Sequence, residues 1–262
     1  MQQGTTLETL LTRDRLLVAS SLVVLVGLAW LYMVHMAQEM PQSGMQMTMP
    51  HMHRWGLIDL LLLFIMWVVM MVAMMVPTAA PMLLLFATIN RRKHAQAGPL
   101  VSTGAFLLGY LLVWTGFSAV IAVLQWGLHA AALLSPLMVS SSPTLGGVIL
   151  VAAGICQWTA LKSRCLQHCR SPLGFFMTEW REGQRGALLM GLQHGSYCVG
   201  CCWLLMAVLF VTGAMNLLWI TAITMLVLVE KVVPRGPLVG RVAGLGLVFW
   251  GVSLLARVWL PV

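Results

Sequence analysis

Residues Ala187–Val211 read A-L-L-M-G-L-Q-H-G-S-Y-C-V-G-C-C-W-L-L-M-A-V-L-F-V, without one Asp, Glu, Lys or Arg. An apolar run of about 20 residues or more is long enough for an α-helix to cross the hydrocarbon core of a bilayer. In lipid the backbone must satisfy its own hydrogen bonds, so a single run of this kind is helical. At 3.6 residues per turn His194, Cys198 and Cys201 fall at i, i+4 and i+7 and share one face; Cys202 borders that face and Met206 extends it by a turn. Ionisable groups at such depth turn towards a bundle interior or a cavity. Gly191, Gly195 and Gly200 leave space for a second helix to approach closely.

The rest of the chain repeats the pattern. Of 262 residues, 60% are hydrophobic and 8% charged, which excludes a soluble globular domain. The expected fold is all-α: a polytopic transmembrane helix bundle forming one integral membrane domain over residues 1–262. About seven spans are expected, at Leu16–Val34, Leu57–Val76, Gly104–Leu128, Thr144–Leu161, Ala187–Val211, Met215–Val233 and Leu238–Val258. The first is read as a span and not as a cleaved signal, because no small-residue cleavage site follows it. Pro77 and Pro81 are expected to kink or break the second.

The net charge of +8 does not point to nucleic acid, since the basic residues sit in short gaps between apolar runs. With the N-terminus in the cytoplasm, every Lys and Arg except Arg54 and Arg257 falls on the inner side. That asymmetry is the positive-inside pattern, and it supports an odd number of spans with the N-terminus in the cytoplasm. The lipid bilayer is thus the first partner.

Imidazole and thiolate on one helix face suit a soft or borderline ion such as Cu(I) or Zn(II). The plainer reading takes buried Cys as a small apolar filler. Three Cys within five residues, one turn after His194, weigh against it. All six Cys, at 156, 165, 169, 198, 201 and 202, lie in the second half of the chain and lack the spacing of a secreted disulfide framework.

Three other stretches bear on the same chemistry. Residues 35–56 form a Met/His-rich outer loop, with H-M-A-Q-E-M-P-Q-S-G-M-Q-M-T-M-P-H-M-H at 35–53. Thioethers bind Cu(I) without deprotonation, so Met45, Met47 and Met49 with His51 and His53 are candidate capture ligands. The alternative is a loop with adaptable Met side chains. In the second span Met66, Met70 and Met74 form one helical row and Met71 and Met75 its neighbour, as a thioether path or as ordinary packing. Residues 162–186 form a basic cytoplasmic loop with an interfacial segment. There Cys165, His168 and Cys169 make a candidate second soft-metal site, with Arg164 and Arg170 favouring thiolate. Cys156 either faces the His194–Cys198 site from a neighbouring helix or packs. Glu230 and Lys231 read as snorkelling groups at a helix end.

G-L-Q-H-G-S-Y-C-V-G-C-C-W-L-L-M, followed by G-A-M-N-L-L-W and E-K, resembles a bacterial family of uncharacterised, predicted metal-binding integral membrane proteins sometimes labelled copper chaperones. The segments M-M-V-A-M-M-V-P-T-A-A-P and Q-W-T-A-L-K-S-R-C-L-Q-H-C-R fit the same family, and the likeness runs from about Trp67 to Lys231. It implies metal handling by His194, Cys198, Cys201, Cys202, Cys165 and Cys169. The expected function is binding of copper, as Cu(I), with zinc or another soft metal as the alternative. The outer loop captures the ion and the intramembrane His/Cys site holds or delivers it, with no catalytic step. A copper-dependent membrane enzyme or a periplasmic copper carrier is the expected partner. Two alternatives remain: a membrane thiol–disulfide oxidoreductase using Cys198 and Cys201, or an assembly factor or subunit of a membrane metalloenzyme.

Overall fold

A computed structural model describes residues 2–46, 56–93, 99–130 and 142–259, and every regular element among them is helical. The order is α1 (Gln2–Gln46), α2 (Leu57–Lys93), α3 (Pro99–Ala130), α4 (Pro143–Cys156), α5 (Ala160–Arg170), α6 (Pro172–Glu179), α7 (Gly183–Ala207), α8 (Leu209–Thr212), α9 (Leu217–Val232) and α10 (Gly236–Trp259). Five stretches are long and apolar enough to cross a membrane: Arg15–Glu39, Leu57–Lys93, Val101–Leu128, Gly183–Thr212 and Gly236–Val258. The protein is a helical membrane protein.

The expected count of seven spans meets two irregular elements. The run at 144–161 is interrupted: α4 and α5 form a pair bent by 62°, which makes a sixth span if the two are taken as one. Gln157 and Trp158 form the corner, and Thr159 restarts the helix by accepting a hydrogen bond from Lys162 N on its side-chain oxygen. The apolar-run reading does not register that corner, because no charge, proline or glycine marks residues 157–159. The run at 215–233 is α9, a helix of 16 residues started by Asn216, which accepts from Leu218 N and Trp219 N.

In α2 the helix passes through both prolines to Lys93. Pro77 cannot donate to Ala73 O. Trp30 on α1 supplies the missing donor, with Nε1 3.2 Å from that oxygen. Two residues along, Tyr110 on α3 donates to Met75 O at 3.0 Å. Side chains thus satisfy backbone oxygens around the proline position, as a lipid-embedded helix requires.

Two interfaces are made by glycine. Helices α3 and α7 touch backbone to backbone: a methyl group at Gly191 would collide with Phe106 O, and one at Gly109 with Leu188 O. Helices α4 and α10 pair through Gly147 and Gly154 against Gly251 and Gly244, where a methyl at Gly154 would lie 2.6 Å from Gly244 O. Small residues let membrane helices approach until dispersion and backbone contacts hold them, since lipid supplies no hydrophobic drive between helices.

Short α6 turns its aromatic face into the bundle. Phe175 and Phe176 are buried, while Leu173 and Met177 are exposed. Phe176 packs 5.7 Å from Phe86 and 6.1 Å from Phe106 by ring centroids. The interfacial segment expected within residues 162–186 therefore packs its aromatic side chains into the core as well as presenting apolar side chains outward.

Candidate metal centre

The α7 face expected from spacing forms as a buried surface: His194, Cys198, Cys201, Cys202 and Met206 are all buried. Around Cys198 the structure gathers groups from four other helices. Lys231 on α9 donates from Nζ to Cys198 Sγ at 2.9 Å and to Thr78 Oγ1 on α2 at 3.0 Å. The Tyr110 hydroxyl lies 3.2 Å from the same sulfur. Cys169 on α5 is buried and interacts through its side chain with Cys198 and Cys201. Cys201 and Cys202 donate their thiols back to Cys198 O, at 3.1 and 2.9 Å.

A buried ammonium is costly without an anionic partner. Lys231 is 7% exposed. Glu230, its neighbour in sequence, is committed to Lys162, with contacts of 2.7 and 2.8 Å. Cys198 Sγ is the group that Lys231 meets. As the structure stands, the cation in the sulfur cluster is a lysine. Among the described residues no group of three His, Cys, Asp or Glu is arranged to hold a metal ion. The thiols of Cys201 and Cys202 are turned to the Cys198 carbonyl.

His194 sits in an aromatic sleeve, with ring centroids 5.6 Å from Tyr110, 5.9 Å from Phe175 and 6.1 Å from Phe106. Its Nδ1 is buried and has no hydrogen-bond partner. An unsatisfied buried nitrogen costs about 1–3 kcal/mol, so it calls for an explanation.

The second expected site separates. Cys169 joins the α7 cluster, whereas His168 is exposed, stacks on Tyr197 at 4.2 Å and bonds through Nδ1 to Arg164 O. Cys165 is half-buried and fits against Gly200, where a methyl group would lie 2.9 Å from its Sγ. Cys156 is half-buried at the end of α4, 3.9 Å from Thr159 Oγ1. Arg170 donates to Glu230 O and Pro234 O, away from the thiols. The geometry has α5 helical with Cys169 on the inward face and His168 one residue round on the outward one.

Met66, Met70, Met71, Met74 and Met75 are all buried, so both methionine rows of α2 face the core. They end beside the cluster, because Met75 O and Cys198 Sγ share Tyr110. Of the outer-loop candidates, Met47, Met49, His51 and His53 lie outside the described residues, and the side chain of Met45 does too.

Sequence reading missed Lys231, Tyr110 and Thr78. Glu230 and Lys231 are both buried and are not snorkelling surface groups. Adjacent helix residues point about 100° apart. Two neighbouring charges at the end of an apolar helix therefore address different surroundings, and that was the available signal.

A family model described as copper chaperone (PpoB2) matches residues 64–254, well over half of the chain. The chain belongs to the PpoB2 copper chaperone family. Every member of the Cys198 cluster, from Thr78 to Lys231, lies inside the matched copper chaperone region, and α1 and the Met/His-rich stretch precede it. No curated protein and no solved structure gives a significant match.

Proposed function

We propose that the chain binds Cu(I) as cargo at the sulfur cluster of Cys169, Cys198, Cys201 and Cys202, with His194 as a nitrogen ligand, inside a membrane-embedded bundle. The observation that carries this is the meeting of α5 and α7 sulfurs in a sealed interior that already accommodates a cation, the Lys231 ammonium on Cys198 Sγ. Thiolate and imidazole prefer Cu(I) among available ions, and Zn(II) is the competitor. The family description points the same way.

In this reading the bundle has about seven spans with the N-terminus in the cytoplasm of a bacterial cell. Met45, Met47, Met49, His51 and His53 capture the ion on the outer side, and the α2 methionine rows pass it to the cluster. Cys165, His168 and Cys156 lie on the rim and serve transfer to a carrier or a copper enzyme. A thiol–disulfide role for Cys198 and Cys201 is disfavoured by their burial, at 0% and 3% exposure, since disulfide exchange requires a partner sulfur to reach them. Full-length protein purified in detergent with Cu(I) and analysed for metal should hold copper stoichiometrically, and Cys198→Ser should lose it. Metal-free protein whose Cys198 and Cys201 cycle between thiol and disulfide would overturn the reading.

A further inference from the structure

We propose that Lys231 makes the Cys198 site selective for a monovalent soft cation over a divalent one. The inference rests on the metal-site reading above and adds a charge rule to it. The ammonium is 2.9 Å from Cys198 Sγ and is anchored on its other side by Thr78 Oγ1 at 3.0 Å. Glu230 makes no direct ion pair with it, since both carboxylate oxygens are engaged by Lys162. The end of α9 that carries Lys231 is held as well, since Arg170 binds Glu230 O and Pro234 O. An ion entering among Cys169, Cys198, Cys201 and Cys202 therefore comes close to a fixed positive charge.

Coulomb repulsion from that charge is proportional to the charge of the entering ion, so it doubles for a divalent ion in the same place. Salt does not screen a buried pair as it does a surface one. Attraction to the thiolates also grows with ionic charge, but Lys231 subtracts from it at the sulfur it touches. The sulfur set selects softness, and the lysine selects charge.

The test uses the full chain in detergent or nanodiscs, with Ag+ as a redox-inert monovalent probe and Cd2+ as a thiophilic divalent one. The quantity read is the ratio of the Cd2+ to the Ag+ dissociation constant. Lys231→Met should lower that ratio at least about tenfold, and Lys231→Arg should leave it within about threefold, because repulsion follows charge and not shape. A loss of folded protein lowers the uptake of both ions alike and cancels in the ratio, and Lys231→Arg, which keeps a positive charge beside Cys198, separates the charge from the shape of the side chain. Lys231→Gln, equally neutral, replaces the Met variant if that fails to fold. An unchanged ratio in the neutral variants, or an equal shift in Lys231→Arg, overturns the assignment to Lys231. Wild-type protein that takes up no Ag+ overturns the metal-site reading itself.

Discussion

Lys162 on α5 and Glu230 on α9 form a buried ion pair, with Nζ 2.7 Å from one carboxylate oxygen and 2.8 Å from the other. Gln157, at the corner between α4 and α5, also accepts from Lys162. Eight residues further on, Arg170 reaches the backbone oxygens of Glu230 and Pro234. Helix α5 is thus fastened to the end of α9 on both sides of Cys165 and Cys169, and this fastening brings Cys169 to the α7 sulfurs. Removing one partner of a buried pair strands a charge and costs about 3–5 kcal/mol, while replacing both with apolar groups is often neutral. Lys162→Met and Glu230→Gln should each lower the unfolding midpoint in detergent sharply, and Lys162→Met with Glu230→Met should recover most of it. A double variant no more stable than the singles would mean that the pair does not act as a unit.

Tyr110 gives a narrower test. Its hydroxyl joins Met75 O to Cys198 Sγ, so it couples the proline-containing segment of α2 to the sulfur cluster. Tyr110→Phe keeps the ring against His194 and removes only the oxygen. The expected loss is about 0.5–1.5 kcal/mol, that of one hydrogen bond, and copper affinity should fall with it. The check is chemical unfolding of the metal-free protein beside a Cu(I) competition titration. Unaltered copper affinity would detach Tyr110 from the site.

The membrane helices and the α7 face were readable in sequence because each rests on local periodicity: apolar length for the spans, and spacings of three and four residues for His194, Cys198 and Cys201. What could not be read is pairing between distant segments. Lys231 meets Cys198 across 33 residues and Thr78 across 153, and no local pattern encodes either contact. The corner at Gln157–Thr159 escaped for a different reason, since Gln, Trp and Thr end one helix and start the next with no charge, proline or glycine to mark the break. Cys165, His168 and Cys169 looked like one site because spacing was read without knowing which face of α5 the neighbouring helices cover.

Glycine at the α4–α10 contact should be as sensitive to added volume as the cysteines are to removal. A methyl at Gly154 would stand 2.6 Å from Gly244 O and 2.5 Å from a Val248 methyl, and backbone oxygen cannot yield cheaply. At Gly246, on the same α10 helix, a methyl meets nothing within 4 Å. Gly154→Ala should cost about 1–3 kcal/mol, the range for overpacking, whereas Gly246→Ala should be neutral or slightly stabilising through lower chain entropy. Detergent unfolding curves for the two variants decide it; equal effects would show that the α4–α10 contact is looser than its backbone distances indicate.

The placement of Cys169 and His168 separates the structure from the sequence pattern most directly. Spacing alone makes His168 and Cys169 equal members of one soft-metal site. The structure buries Cys169 beside Cys198 and Cys201 and leaves His168 exposed, stacked on Tyr197. Cys169→Ser swaps a soft thiolate for a hard hydroxyl at nearly constant volume, so its effect on binding is not a packing effect. It should weaken Ag+ or Cu(I) binding at least about tenfold, the minimum expected when a group supporting a metal site is lost. His168→Ala should fall short of that loss of about tenfold, since that imidazole is exposed, stacked on Tyr197 and bonded to Arg164 O. Competition titrations of both variants against a common chelator give the comparison. Equal losses would restore the single site drawn from spacing, and a loss confined to His168→Ala would move the ion to the outer face of α5.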